Sequence, residues 1–143
     1  MILVYTPVWK YASHYRLPVL IHTWEGQYDA PNLIAQVAAE YPDASFILGH
    51  AGGGTQGRLQ AIKAAQTFKN IYLEFCGSFK ATLRWEETLR QVDPEQVVYG
   101  TDTYTHDVAW ELGRLLSADI DEQILRMILG ENYQRILRKR VSP

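Results

Sequence analysis

Three side chains that can bind metals or transfer protons stand at the ends of apolar, β-prone runs in this sequence. They are His22, His50 and Asp102. Imidazole and carboxylate groups hold catalytic divalent metals while leaving a position open for water, and such a metal lowers the pKa of that water and polarises a substrate oxygen. Taken singly, each residue could be an ordinary loop histidine or helix-capping aspartate. Together they predict a metal or acid–base site, provided that the fold brings them together.

The elements that must position these residues are four short runs rich in apolar and β-branched residues. These runs are apolar on both faces, which is typical of parallel strands buried on both sides. They are separated by segments with helical spacing, and their ends lie 26 to 28 residues apart, which is the length of a strand–helix unit. The carboxyl ends of parallel strands meet at one edge, so we expect the three side chains to share it. The predicted strands are 18–22, 45–50, 70–76 and 96–101.

Local signals predict where several helices begin and end. Asp29 and Pro31 fit the cap and first turn of one helix, and Asp121 fits the start of another. Gly130 is expected to end that helix, and 132–139 is expected to form the last one.

The whole chain, residues 1–143, is expected to form one domain around a single core. Two parallel α/β architectures fit the pattern. An open doubly wound sheet would be complete at this length, whereas a (β/α)8 barrel takes about 250 residues, so four strands would be half of one.

Composition excludes several function classes. Fourteen Lys and Arg stand against sixteen Asp and Glu, a net charge of -2, so a nucleic-acid partner is not expected. No apolar run approaches the roughly 20 residues that span a bilayer, so no membrane partner is expected either. Cys76 is the only cysteine, which favours a reducing compartment. We therefore expect a cytoplasmic protein that acts on a small molecule.

Loops after the predicted strands supply further candidates. The glycines after His50 fit neither a Walker loop nor a dinucleotide fingerprint, but they bring backbone N–H groups close to a ligand. A turn that needs positive φ explains these glycines equally well. Trp24 and Glu25, in the loop after His22, are explained equally well as a packed aromatic ring and a solvated acid. The candidate substrate contacts are Trp24, Glu25, Gly52, Gly53, Tyr104 and His106.

Four segments together resemble the C-terminal half of the amidohydrolase superfamily. They are 17–23, 41–53, 99–102 and 128–132, in order along essentially the whole chain. The branch that they resemble most is the amidohydrolase-related group that includes aminocarboxymuconate-semialdehyde decarboxylase. The resemblance implies an α/β fold of parallel βα repeats, namely strands five to eight of a TIM-like (β/α)8 barrel.

The same resemblance implies roles for the three residues. His22 would be a metal ligand, and His50 would bind a second metal or position water or substrate. Asp102 would bind metal and accept a proton from the attacking water. The implied cofactor is a divalent metal, Zn²⁺ or alternatively Mn²⁺. The implied reaction is hydrolysis of an amide, ester or lactone, with decarboxylation of an unsaturated or aromatic carboxylate as the alternative.

One departure from the family pattern bears on activity. The His-x-His pair of the first barrel strand is absent, and the other histidines are only His14 and His106. We therefore expect a truncated chain that begins in the helix before strand five. Half a barrel leaves strand edges open, which predicts a homo-oligomer or a partner that supplies the N-terminal half. A catalytically inert half-barrel is the remaining alternative.

Overall fold

The structure, a computed structural model, describes residues 2–77 and 84–141. Strands and helices alternate along much of the described chain. The strands are β1 (Pro18–His22), β2 (Ser45–Gly49), β3 (Ile71–Glu74) and β4 (Val97–Val98). The helices are α1 (Thr6–His14), α2 (Pro31–Glu40), α3 (Thr55–Thr67), α4 (Arg84–Leu89), α5 (Val108–Leu116), α6 (Glu122–Arg126) and α7 (Asn132–Arg138), with 3₁₀ turns at Ile2–Tyr5, His50–Gly52 and Pro94–Gln96 and a π-helical segment at Met127–Glu131.

The four strands form one parallel sheet in the order β1-β2-β3-β4. Leu20 aligns with Ile47, and Ile47 aligns with Tyr72. Each strand therefore pairs with the next along the chain, as predicted for successive βα units. A doubly wound sheet reverses its strand order at a switch point, whereas this unbroken order is that of part of a barrel.

Burial follows position in the sheet. Every residue of β2, β3 and β4 is buried, as predicted. The same prediction is wrong for β1, where Leu20 is 65% exposed. The reason is that β1 lies at the edge of the sheet, where a strand has a neighbour on one side only.

The predicted ends of β1 are confirmed, while the other strands are shorter than predicted. The largest difference is in β4, which was expected to run to Thr101 but pairs only at Val97–Val98. There the Tyr99 N–H donates to the Ile128 carbonyl (3.0 Å), and Asn132 Nδ2 donates to the Val97 carbonyl (2.6 Å). The π-helical segment and α7 thus take the position along β4 that another strand would occupy.

The core lies on both faces of the sheet. On one face, alternate strand residues such as Phe46 and Leu73 pack against the helices in the main cluster. On the other face, Ile47, Tyr72 and Val98 pack against Ile136 of α7. This second cluster shows that α7 covers part of the face that also carries Glu74, because residues two apart in a strand share a face.

Two of the predicted helix signals act differently from expectation. Asp29 does not cap α2, because Ala30 is the capping residue and the Asp29 carboxylate accepts the Gly26 N–H instead. Gly130 does not end a helix, because it lies inside the π-helical segment that continues into α7. Asp121 does cap α6, by accepting the Gln123 N–H. None of the helices in the described ranges is long and apolar enough to cross a membrane.

Candidate functional site

The parallel sheet brings two of the three predicted residues into contact. His22 is the last residue of β1 and His50 directly follows β2. Their rings meet edge to face, with 4.8 Å between centroids. Asp102 lies beyond the end of β4. The negative charge of its carboxylate is one of the influences that raise the pKa of His50, against a net lowering. His14 lies on α1 and is exposed.

His50 is held in a left-handed backbone conformation, with φ of 65°. Its Nδ1 lies 3.2 Å from the Cys76 carbonyl oxygen and 3.4 Å from Cys76 Sγ. A carbonyl only accepts hydrogen bonds, so Nδ1 carries the proton and Nε2 keeps its lone pair on the side away from Cys76. Burial, followed by the charge of His22, lowers the pKa of His50, although Cys76 and Asp102 oppose that shift. His50 is therefore a neutral imidazole near neutral pH.

Trp24 forms an aromatic wall beside the two imidazoles. Its ring is stacked on His22 and lies edge to face against His50, with centroid separations of 6.3 and 5.5 Å. Gly53 lies directly under the indole, because a Cβ at this position would overlap the ring, and its φ is 67°. The glycine is explained by this packing. Trp24 is 40% exposed.

Glu25 and Gly52 have structural partners. The Glu25 carboxylate accepts the N–H of Gln56 (3.0 Å) and of Gly57 (3.5 Å) at the start of α3. Gly52 donates its N–H to Thr23 Oγ1 (3.0 Å) and lies against Gly57, with no room for a Cβ. These contacts account for both residues, and their substrate-binding roles stay predictions.

Asp102 and His106 form a pair at the other end of the site. Asp102 Oδ2 lies 3.1 Å from His106 Nδ1, and the two side chains are 33% and 18% exposed. Asp102 has a φ of 50°, so the backbone turns sharply at the aspartate. Tyr104, the remaining predicted substrate contact, projects fully into solvent.

No role was predicted for Glu74 from the sequence, although its carboxyl group is buried at this edge of the sheet. It is the last residue of β3 and is 3% exposed. Burial raises the pKa of Glu74 to about 7, and the negative charges of Asp102 and Glu111 raise it further. The sequence did carry a signal for this buried acid, because Glu74 lies inside the apolar run 70–76.

A metal ion would need more ligands than the described residues bring together. Across 2–77 and 84–141, no three His, Cys, Asp or Glu side chains are grouped so that they could hold one. His22 and His50 are in contact, whereas Asp102 is paired with His106. The donor types suit Zn²⁺ or Mn²⁺, but the described residues do not complete a metal site by themselves.

Solved structures show the same fold. The chain aligns with an uncharacterised TIM-barrel protein from Bordetella bronchiseptica at a TM-score of 0.79 and 17% identity, covering 94% of this chain and 50% of that one. It aligns with 5-carboxyvanillate decarboxylase from Sphingomonas paucimobilis at 0.71 and 17%, covering 94% and 53%. A dihydroxybenzoic acid decarboxylase from Polaromonas sp. JS666, with bound manganese and the inhibitor 2-nitroresorcinol, aligns at 0.61 and 19%, covering 77% and 39%.

These alignments confirm the predicted fold class, since the chain has parallel βα units like those of TIM barrels and spans about half the length of the barrel chains that it matches. No curated protein sequence matches the chain significantly. The family model of the amidohydrolases matches residues 3–139, which is nearly the whole chain. The resemblance seen in the sequence is thereby confirmed, and the chain belongs to the amidohydrolase family.

Proposed function

We propose that this chain carries part of the active site of a metal-dependent enzyme that removes CO₂ from an aromatic carboxylate. The observation that carries the proposal is the aromatic wall, in which Trp24 lies against His22 and His50 with part of its indole exposed. An aromatic substrate ring stacks on such a surface, with imidazoles beside it for proton transfer. The aromatic-acid decarboxylases among the similar structures support this choice over hydrolysis.

The reaction requires a proton to be delivered and a carbon–carbon bond to be broken. A proton adds to the ring carbon that bears the carboxylate. The bond to the carboxylate then breaks, CO₂ leaves, and the electron pair restores the aromatic ring. The Asp102–His106 pair, which shares a proton across 3.1 Å, is the proposed source. His50, with Nδ1–H held by Cys76, presents a neutral Nε2 that can accept a proton from a phenolic hydroxyl.

The proposed cofactor is a divalent metal, Zn²⁺ or Mn²⁺, of which manganese occurs in one of the similar structures. His22 and Asp102 are the proposed ligands from this chain, because the single lone pair of His50, on Nε2, is assigned to proton transfer. When bound, such a metal neutralises negative charge on the substrate. We expect equilibrium dialysis to show weaker metal binding in a His22→Ala, Asp102→Ala double variant than in the unchanged chain.

Hydrolysis of an amide, ester or lactone is the second candidate. It is favoured by one observation: Asp102 is hydrogen-bonded to His106, and a carboxylate–imidazole pair of this kind can take a proton from an attacking water. Both candidates use the same edge of the sheet, so only the products distinguish them.

The test is product analysis with the chain supplied with Mn²⁺ or Zn²⁺. Dihydroxybenzoates and 5-carboxyvanillate are the probes for decarboxylation, and a panel of lactones and esters is the probe for hydrolysis. We expect CO₂ release that is lost in His50→Ala and kept in His14→Ala, which changes an exposed histidine on α1. Hydrolysis without CO₂ release would favour the second candidate. Neither product, with no binding of the aromatic acids, would indicate an inert half-barrel.

A further inference from the structure

Helix α5 directs its charged side chains inward and several of its apolar side chains outward. The side chains of Glu111 and Arg114 are 1% and 14% exposed, whereas Val108, Trp110 and Leu116 are exposed. A buried charge costs free energy unless it is paired, and a buried ion pair adds little to stability compared with apolar residues of similar size. The burial of Glu111 and Arg114 therefore indicates a role besides stability.

Arg114 connects α5 to the loop that follows β3. Its Nη1 donates to Glu111 Oε2 (2.6 Å) and to the carbonyl oxygen of Gly77 (2.9 Å). Glu111 holds the guanidinium from the same helix, because residues three apart are neighbours on a helix surface. The buried pair thus fixes the Gly77 carbonyl relative to α5, although 37 residues separate Gly77 from Arg114 in the sequence.

Gly77 packs against both imidazoles that the proposed reaction uses. A Cβ at this position would come within 2.7 Å of His50 Nδ1 and 3.8 Å of His106 Cε1, and its φ of 86° is a conformation that favours glycine. The α-hydrogen that stands in place of Cβ therefore points at both rings. The position of the Gly77 backbone consequently determines where the imidazoles of His50 and His106 can lie.

We propose that Arg114, held by Glu111, is a positioning residue for the two imidazoles, because it binds the Gly77 carbonyl and so fixes the backbone against which His50 and His106 pack. The importance of this role rests on the proposed function, in which His50 accepts a proton and His106 belongs to the pair that donates one. In that reaction the spacing of the two imidazoles decides whether one substrate can reach both. The positioning itself requires neither a bound substrate nor a metal.

The α-hydrogens of Gly77 provide a readout that depends on position and not on stability. In a chain labelled with ¹³C-glycine and ¹³C-histidine, nuclear Overhauser effects connect an α-hydrogen only to ring hydrogens close to it. In the unchanged chain we expect Gly77 to show such effects with Hε1 of His50 and of His106, whose Cε1 atoms lie 3.2 and 3.8 Å from the Cβ position. Their absence from the unchanged chain would overturn the proposal.

The decisive variant removes both members of the buried pair. A Glu111→Leu, Arg114→Met double variant replaces them with apolar side chains of similar size, so no buried charge is left unpaired and we expect the chain to stay folded. We expect the Overhauser effects between Gly77 and the two rings to be lost in this variant. Arg114→Lys keeps a positive charge and a donor on a long side chain, so we expect it to retain them.

Arg126→Met on α6 is the matched control. Arg126 is paired with Glu122 of its own helix, as Arg114 is paired with Glu111, but the side chains of Arg126 and Glu122 are 69% and 79% exposed. This variant removes the same type of ion pair from an exposed surface, so we expect the Overhauser effects of Gly77 to be unchanged.

A folded double variant in which Gly77 keeps its Overhauser effects with both rings would overturn the proposal, as would their loss in Arg126→Met. If the double variant does not fold, Arg114→Met alone decides the question in the same way. The result is separate from the proposed function, because no turnover is measured. A chain that loses these effects in the double variant yet never releases CO₂ when unchanged would support positioning by Arg114 and count against decarboxylation.

Discussion

Glycines at two positions allow larger side chains to approach the backbone at this site. Gly53 lies under the Trp24 indole, and Gly100 lies against the Glu74 carboxyl group. In both places a Cβ would overlap the neighbouring group. The glycine in the loop after β2 therefore lets the Trp24 ring pack on the backbone, and the glycine in the segment after β4 leaves room for the Glu74 carboxyl group. Neither partnership is visible in the sequence, because each joins residues that are far apart along the chain.

Glu74 gives the protein a specific dependence on pH. Burial raises the pKa of Glu74 from 4.5 to about 7, and a folded-state pKa above the unfolded value means that the folded chain holds this proton more tightly. Its contribution to stability is therefore complete below about pH 4.5 and is lost as the pH rises through 7. The two pKa values correspond to a loss of about 3 kcal/mol.

We expect Glu74→Gln to remove this part of the pH dependence, because an amide does not titrate. The measurement is urea unfolding of both chains at about pH 5 and about pH 8. His50 affects the free energy of unfolding in the opposite direction. Burial lowers the pKa of His50, so its contribution to stability is lost as the pH falls below 6.5. The other titratable groups that act on Glu74 or are acted on by it are Asp102, Glu111, Cys76, Tyr99 and Tyr133, and all are present in both chains. Identical pH dependence in the two chains would contradict the assignment.

At the scale of elements, α3 depends on a side chain from another loop. Glu25, after β1, accepts N–H groups of Gln56 and Gly57 in the first turn of α3. A carboxylate there satisfies donors that have no partner within the helix and complements the positive end of the helix dipole.

We expect Glu25→Ala to lower the free energy of unfolding by about 1 kcal/mol. Glu40→Ala, at the exposed last residue of α2, is the matched control that removes the same charge without removing a cap. Chemical denaturation followed by circular dichroism measures both. Equal stability of the two variants would show that the contacts of Glu25 contribute nothing to α3.

The pattern of apolar runs was sufficient to predict the parallel order and the position of β1, because strand periodicity and loop length are local properties. It was not sufficient for β4. Its edge is taken by Ile128 and Asn132, which follow it by about thirty residues, and such pairing is set by packing of the C-terminal segment. The meeting of His22 and His50 was predictable from strand ends, whereas the role of Cys76 required knowing which way the His50 ring faces.

At the scale of the whole molecule, the two edges of the sheet differ. The edge of β4 is occupied by residues of the π-helical segment and α7. The Leu17 carbonyl and the Thr23 N–H, at the two ends of β1, hydrogen-bond to β2. Because successive residues of a strand direct their backbone N–H and C=O groups to opposite sides, those of Leu20 and His22 point away from the sheet. A groove of about 840 Å³ runs beside them, lined by apolar residues that include Leu20 and Tyr28. This is the edge at which another strand can add.

We therefore expect the chain to pair through β1, with a second copy as the partner. Leu20→Lys places an unpaired charge at the centre of that edge and should weaken association at least about tenfold, which corresponds to about 1.4 kcal/mol. Leu116→Lys, which changes another exposed leucine on α5, should leave association unchanged. Size-exclusion chromatography with light scattering measures the mass of each chain across a concentration series. A monomer for the unchanged chain, or a dimer that Leu20→Lys does not weaken, would contradict pairing at β1. A complex formed only when an N-terminal half-barrel is co-expressed would assign the same edge to that partner, because two strands cannot occupy one edge at the same time.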